Sequence, residues 1–235
     1  MKILIGTPVN KRFTKEVKNY IKCIKNLKNK KHKIKVCFAT EDERLVPFLY
    51  KFSKNYKILA KVITFDDKKI KILNISKARE VIRKYFISSG FDLLFFLDSD
   101  ISIDKEGLEK MVEMSGKFDL IINAYPEANP NIKTLVVSGL GCSLIKKKIL
   151  EKIKFEESVH PEDILFFQKV VTNRVKYING IFGKVTHKGK KVDRNKLNLW
   201  EKLKFKIFVI FCILRLVKLY NFAISKLKIR QIIKI

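Results

Sequence analysis

Two aspartates separated by a single serine follow a long apolar run, which makes them the first candidates for chemistry. Residues 91–101 read FDLLFFLDSDI, so Asp98 and Asp100 come directly after a stretch typical of a buried strand. Two carboxylates this close repel each other, and burying them without compensation is costly. A hard divalent cation, Mn²⁺ or Mg²⁺, removes the conflict and can bridge to a substrate diphosphate. The alternative is that both aspartates cap a helix beginning near Asp104.

The elements that must position these carboxylates alternate between strand and helix. Apolar runs predict strands over 3–5, 33–39, 57–65, 93–97 and 118–124, with one or two more over 134–145. Amphipathic patterns predict helices over 13–27, 44–52, 77–88, 107–114 and 161–172. This alternation predicts the α/β class, with a mostly parallel sheet flanked by helices. Ligands bind beyond the carboxyl ends of such strands, where Asp98 and Asp100 would emerge.

Composition narrows the partners without choosing among them. The 235 residues are 47% hydrophobic, enough for a packed core, and carry a net charge of +28 from 51 Lys and Arg against 23 Asp and Glu. This charge indicates nucleic acid, a phosphorylated substrate or an anionic membrane surface, unless it reflects compositional bias. The four cysteines have no metal-site spacing and are expected to be reduced and mostly buried. The apolar segment at the amino terminus is too short for a signal peptide, which predicts a cytoplasmic chain.

The last segment differs in kind from the rest. From residue 194 to 235 there are eleven basic residues and one acidic residue, with no glycine or proline, which predicts a basic amphipathic helix. Its longest uncharged run, 207–214, is far shorter than the roughly 20 residues that cross a bilayer. We therefore expect a domain over 1–192 and a membrane-interface segment over 193–235. The alternative is that this helix packs on its own domain or on a second subunit.

Five motifs in order resemble one enzyme family. They are KILIGTPVN, NISKARE, LLFFLDSDI, SGLGCSLIKKKIL and HPEDILFFQKV, within residues 2–187. Together they resemble inverting glycosyltransferases of the GT-A fold, the broad family that includes cellulose-synthase-like enzymes. The resemblance implies a hexosyltransferase-type enzyme that moves a sugar from a nucleotide-diphosphate donor to an acceptor hydroxyl with the help of Mn²⁺ or Mg²⁺.

The resemblance also assigns roles to acidic residues and a histidine. In the Glu-Asp motif the second acid, Asp163, would take the proton from the acceptor hydroxyl, and Glu162 would bind the acceptor or orient the loop. Asp98, Asp100 and His187 would hold the metal. The alternatives are that Glu162 and Asp163 only stabilise a helix amino terminus, and that His187 is structural or solvated.

Donor recognition rests on several further residues. By resemblance Arg79 lies near the donor, and Ser99 belongs to the same donor site. Thr7 and Pro8 would line the nucleotide cleft, and Glu41 or Asp42 would accept a hydrogen bond from the base; the pair at 66–67 is a second candidate for that contact. The loop over 123–130 is expected to border the acceptor site.

Two other function classes compete with this hypothesis. A nucleotidyltransferase would have a glycine-rich loop after the first strand, and GTPVNKR lacks those glycines. A basic nucleic-acid-binding or membrane-binding protein would interleave aromatics with lysines, whereas most phenylalanines here lie in apolar runs. The expected partners are a nucleotide-diphosphate sugar, a glycan, lipid-linked or protein acceptor, and an anionic membrane whose cytoplasmic face holds the enzyme; nucleic acid is not expected.

Overall fold

A computed structural model describes residues 1–10, 13–28, 31–67, 71–126, 136–137, 139–157, 162–187 and 190–192. The strands are β1 (Lys2–Val9), β2 (Lys33–Thr40), β3 (Ala60–Thr64), β4 (Leu93–Leu97), β5 (Ile101–Ile103), β6 (Leu120–Asn123), β7 (Tyr125–Pro126), β8 (Val136–Val137), β9 (Cys142–Lys146), β10 (Tyr177–Gly180), β11 (Val185–His187) and β12 (Lys190–Val192). The helices are α1 (Phe13–Leu27), α2 (Leu45–Asn55), α3 (Lys71–Ser88), α4 (Lys105–Met114), α5 (Lys147–Lys152) and α6 (Glu162–Thr172).

The main sheet confirms the predicted α/β class. Within the described ranges it has seven strands in the order β10-β6-β9-β4-β1-β2-β3. All of them run parallel except β9, which is antiparallel to both β4 and β6. A smaller sheet has the order β12-β11-β5, and β7 pairs with β8. The small sheet joins the end of the Asp-x-Asp segment to a strand more than 80 residues later in the chain.

Helices cover both faces of the main sheet because successive strand residues point to opposite sides. In β4, Phe95 joins the core shared with α1, α2 and α4, whereas Phe96 joins the core shared with α3, α5 and α6. The five residues of β4 are all buried, as its unbroken apolar sequence predicts. The Asp-x-Asp motif therefore directly follows the fully buried central strand.

Most element bounds agree with the sequence predictions, and two differ for clear reasons. The helix predicted over 77–88 begins at Lys71, because no glycine or proline interrupts this stretch. The NISKARE motif over 74–80 therefore lies inside α3 and not ahead of it. The strand predicted over 57–65 begins only at Ala60, because Lys57 adopts a left-handed φ of 52° that ends α2.

Predictions about the thiols and the tail have different outcomes. Cys23, Cys37 and Cys142 are buried free thiols, which confirms that expectation for the described residues. The predicted helix over 193–235 lies outside the described residues. None of the helices in the described ranges combines the length and the apolar character needed to cross a membrane.

Candidate functional site

The candidate site lies at the carboxyl edge of the parallel strands, where the fold collects acidic residues. Asp98 immediately follows β4, and its backbone N–H donates to the carbonyl oxygen of Gly141 at 2.9 Å. β1 lies beside β4, so Pro8 near the end of β1 borders the same edge. The sheet therefore fixes the position of Asp98 through main-chain bonds.

A buried arginine, Arg79, is the centre of the site. Its Nη2 donates to both oxygens of Asp98 at 3.2 Å, and its Nη1 donates to Oδ1 of Asp163 at 3.1 Å. Its Nε lies 3.6 Å from Glu162 Oε1, beyond hydrogen-bond distance. The Arg79 side chain is only 3% exposed, and its guanidinium lies over the ring of Phe96. One guanidinium thus joins the Asp-x-Asp motif to the Glu-Asp motif.

Helix α6 brings Asp163 to this arginine through aromatic packing. Phe166, one turn further along α6, stacks on Phe155 with ring centroids 4.8 Å apart. Phe155 in turn packs edge-on against Phe96 of β4. The Asp163 carboxylate also accepts the backbone N–H of Leu140 through Oδ2 at 3.1 Å. Both carboxylate oxygens are therefore oriented by the protein, while the side chain stays 29% exposed.

The electrostatics of the cluster follow from three carboxylates sharing one cation. Burial raises the pKa of Asp163 to about 6, Arg79 opposes that rise, and the nearby Glu162 adds to it. Burial likewise raises the pKa of Asp98, with Arg79 again opposing. Burial disfavours the charged form of Arg79, but the carboxylates outweigh it and keep the arginine pKa raised. The cluster therefore holds a charged guanidinium beside carboxylates of raised pKa.

Asp100 and His187 form a second pair beside this cluster. Strand β11 pairs with β5 so that His187 lies opposite Ile101, and His187 Nε2 comes within 3.5 Å of Asp100 Oδ2. Neighbouring ligands of an ion with bonds of about 2.1 Å are themselves about 3 Å apart. A carboxylate here suits Mn²⁺ or Mg²⁺, and the neighbouring imidazole fits Mn²⁺ better than the harder Mg²⁺, which takes oxygen ligands.

The third predicted metal ligand, Asp98, has a different partner. Across the part of the chain that the structure describes, no group of three His, Cys, Asp or Glu side chains is arranged to hold a metal. Asp98 is instead engaged by Arg79. The structure thus brings together two of the three predicted ligands, and the metal site itself stays a prediction.

Two glycines make room for the carboxylates. A Cβ at Gly141 would collide with the carboxylate of Asp98. A Cβ at Gly139 would collide with both the Tyr125 hydroxyl and Oδ2 of Asp163, which border the same point in space. Side chains at these two positions would displace the acidic groups from the site.

Comparison with known proteins identifies the fold. No family model matches the chain, and no curated protein matches it significantly. Solved structures do match. TarS from S. aureus in complex with UDP has a TM-score of 0.57 and 16% identity, covering 76% of this chain and 58% of that chain. The mannosyltransferase PcManGT from Pyrobaculum calidifontis, in complex with GDP-Man and Mn²⁺, has a TM-score of 0.59 and 10% identity, covering 77% and 54%.

A third structure extends the same pattern. GalNAc-T7 with UDP, GalNAc and Mn²⁺ has a TM-score of 0.62 and 10% identity, covering 80% of this chain and 43% of that chain. The chain has the GT-A fold. It spans little more than half the length of the TarS chain it matches. At these identities the likeness establishes the GT-A architecture and leaves activity to be argued from the site.

In this GT-A domain the helix-capping alternative for the Asp-x-Asp motif is contradicted. Asp104 caps α4, because its carboxylate accepts the Gly107 backbone N–H at 2.8 Å. Asp98 and Asp100 precede a strand, β5, and neither begins a helix. Glu162 and Asp163 do occupy the first turn of α6, so their helix-stabilising position and their contact with Arg79 coexist.

The remaining predicted donor residues differ in exposure and in their partners. Thr7 is fully buried, and its hydroxyl bonds to Tyr20 and to the carbonyl of Leu97, so it supports the end of β1 from below. Ser99 donates to Glu16 at 2.6 Å. Pro8 is partly exposed at the strand end.

The candidate base contact at the end of β2 is engaged by a neighbour. Asp42 accepts two hydrogen bonds from the exposed Arg44, at 2.7 and 2.8 Å. Burial raises the pKa of Glu41, and the charges of Asp67 and Asp42 add to the rise. Asp67 itself accepts from Asn74 at 2.7 Å. The contact with a nucleotide base stays a prediction.

Sequence reasoning missed Tyr125 at this site. It lies in the loop expected to border the acceptor, of which residues 127–130 are outside the described part. Its ring packs edge-on against His187, with centroids 5.1 Å apart. Burial raises the pKa of Tyr125, and the carboxylates of Asp163 and Asp98 add to that rise. A tyrosine directly after an apolar strand was the available signal, but one aromatic residue in a loop is not specific.

Proposed function

We propose that the chain is a metal-dependent, inverting glycosyltransferase of hexosyltransferase type that uses a nucleotide-diphosphate sugar. The observation that carries this proposal is the bridge of Arg79 from Asp98, at the end of the central strand, to Asp163. This bridge joins a donor-side acid to an acceptor-side acid in a GT-A cleft. The neighbouring structures solved with UDP, GDP-Man and Mn²⁺ support the choice of donor class.

Asp163 is the proposed general base. With a pKa of about 6 it is ionised at neutral pH, and it remains a stronger base than an ordinary carboxylate. The acceptor O–H bond breaks and its proton passes to Asp163. The acceptor oxygen bonds to the anomeric carbon, and the bond from that carbon to the phosphate oxygen breaks with its electron pair on the departing diphosphate. Attack from the face opposite the leaving group inverts the anomeric centre.

The residues around the leaving diphosphate have separate roles. Asp100 and His187 would hold Mn²⁺ or Mg²⁺, with Asp98 contributing through a metal-bound water or reaching the ribose. A bound divalent ion supplies charge neutralisation for the departing diphosphate. Arg79 keeps Asp98 and Asp163 in position, and Glu162 orients the arginine or binds the acceptor. Pro8, Ser99 and Asp42 would complete the donor pocket, whereas the fully buried Thr7 would support the end of β1.

The sequence of the tail supports a location for the enzyme. We propose that residues 193–235 hold the domain at the cytoplasmic face of an anionic membrane, as their basic amphipathic pattern favours. Such a position would suit a lipid-linked or membrane-borne acceptor.

The test of the activity is a screen of nucleotide sugars. We expect the full chain to consume one donor from a panel that includes UDP-GlcNAc and GDP-mannose, and to need Mn²⁺ or Mg²⁺. Asp163→Asn and Asp100→Asn should each lower the rate by about 10²-fold or more. The matched control is Asp92→Asn, which lies just before β4, at the other end of the strand from Asp98. It should leave the rate unchanged. Full activity of Asp163→Asn would contradict the proposal.

A further inference from the structure

Tyr125 lies between the two halves of the site. On one side its hydroxyl and Oδ2 of Asp163 both pack against Gly139, because a Cβ there would collide with both. On the other side its ring packs edge-on against His187, which lies 3.5 Å from Asp100. The residue therefore separates the proposed base from the proposed metal ligands, which is where an acceptor must approach the donor.

The Tyr125 hydroxyl is a second polar group beside Asp163. Among the described residues, the structure records no hydrogen bond to this hydroxyl, although the side chain is half-buried. Buried tyrosine hydroxyls usually have a partner. A phenol is protonated at neutral pH and can donate a hydrogen bond. Asp163 Oδ2 beside it can accept one.

A donor and an acceptor that lie side by side against one glycine favour a ligand that carries both functions. We infer that Tyr125 binds the acceptor, and that the acceptor is a polyol with two neighbouring hydroxyls. Tyr125 donates to the oxygen of one hydroxyl, which turns the adjacent hydroxyl towards Asp163. The adjacent hydroxyl gives its proton to Asp163 as its oxygen bonds to the anomeric carbon, and Tyr125 keeps its own proton throughout. This inference rests on the proposed transferase activity and specifies its acceptor class.

Gly139 belongs to the same subsite. A methyl group there would occupy the point that the Tyr125 hydroxyl and Asp163 share. Since that methyl group would push the hydroxyl and the carboxylate apart, the glycine leaves both in position to contact an acceptor. Gly90, where a Cβ would meet nothing within 4 Å, provides the matched control position.

The test compares transfer to three probes with the donor found in the nucleotide-sugar screen. The probes are glycerol, which has neighbouring hydroxyls, propan-1-ol, which has one hydroxyl, and water, read as donor hydrolysis. We expect Tyr125→Phe to lower transfer to glycerol about tenfold, mainly through KM, and to leave the other two rates within about twofold. The phenylalanine ring still packs on His187, so folding is preserved. Tyr50→Phe, on the exposed face of α2, should change none of the three rates.

The outcomes separate this inference from the proposed function. Gly139→Ala should suppress transfer to glycerol, whereas Gly90→Ala should not. Unchanged transfer to glycerol by Tyr125→Phe, or an equal loss of donor hydrolysis, would overturn the role of Tyr125 and leave the transferase intact. If the wild-type chain consumes no nucleotide sugar, the proposed function fails and this inference fails with it.

Discussion

At the scale of single residues, Arg79 is the charged side chain on which the structure of the site depends most. It is 3% exposed and compensates the carboxylates of Asp98, Asp163 and Glu162. A buried charge left without its partner is strongly destabilising. Removing this arginine should therefore lower the free energy of unfolding by more than the pairing itself contributes. A lysine could not replace it, since an ammonium cannot span two carboxylates with a planar fork.

Replacing Arg79 with methionine should therefore unfold the protein more easily. We expect the free energy of unfolding at pH 7 to fall by about 3–5 kcal/mol, and by less at pH 5, where protonation relieves the repulsion among the acids. Urea denaturation at the two pH values measures this. Arg44→Met removes an arginine that is 86% exposed in its pair with Asp42, and should lower the free energy of unfolding far less. Equal losses in both variants would contradict the account.

The raised pKa of Asp163 predicts two pH dependences of opposite sign. The folded protein binds this proton more tightly than the unfolded chain between 3.8 and about 6, so the free energy of unfolding should fall as pH rises through that window. Activity should rise through about pH 6, because the base must be ionised. The difference between wild type and Asp163→Asn in urea isolates the first effect, and a pH–rate profile measures the second. An acid limb near pH 4 would contradict the assignment.

At the scale of elements, the segment ahead of β9 is as important as the acids it faces. Gly141 accepts the Asp98 backbone N–H through its carbonyl, and it leaves no room for a Cβ beside that carboxylate. Gly141→Ala should lower the free energy of unfolding by about 1–3 kcal/mol, since the carboxylate or the strand must shift. Gly90→Ala should change it by under about 0.5 kcal/mol. Thermal unfolding of the two variants provides the comparison.

The cap of α4 connects the small sheet to the main domain. Asp104 accepts the backbone N–H of Gly107 at 2.8 Å and that of Lys184 at 3.0 Å, just before β11 begins. Asp104→Ala should lower the free energy of unfolding by about 1–2 kcal/mol, because the N-cap and the contact to β11 are both lost. Glu106→Ala, in the same first turn but exposed, should have little effect. If Asp104→Ala left the free energy of unfolding unchanged, the cap would contribute nothing to stability.

How far the sequence predicts this site depends on how local each signal is. The strand ending at Leu97 and the helix over 13–27 follow from apolar patterns within a few residues, and both are confirmed. The bridge from Arg79 to Asp163 joins residues 84 positions apart, and it depends on how α6 packs through Phe166. The reversed direction of β9 is also a tertiary property, because a strand's own sequence does not encode its partner's direction.

At the scale of the whole molecule, acidic and basic residues are unevenly distributed. The net charge of +28 coexists with a concentration of acids at the carboxyl edge of the sheet. A diphosphate can bind to such an acidic edge only if cations offset the repulsion. The metal ion that Asp100 and His187 would hold is therefore central to the proposed function.

The tail has its own prediction. We expect the full chain to sediment with vesicles containing anionic lipid at low salt, and a chain ending at Val192 to remain in the supernatant, because residues 193–235 hold much of the unopposed positive charge. Donor hydrolysis by the shorter chain should be unchanged. Equal sedimentation of both chains would contradict the membrane role of the tail and leave the site unaffected.

The central claim is that a cation and a diphosphate bind between the Asp-x-Asp motif and His187. Crystals soaked with Mn²⁺ and either UDP or GDP test it most directly, through anomalous scattering from manganese. The account predicts manganese density bonded to Asp100 and His187, with the diphosphate beside it at the carboxyl end of β4. Manganese elsewhere, or Asp98 and Asp100 bonded only to protein groups with nucleotide present, would contradict it.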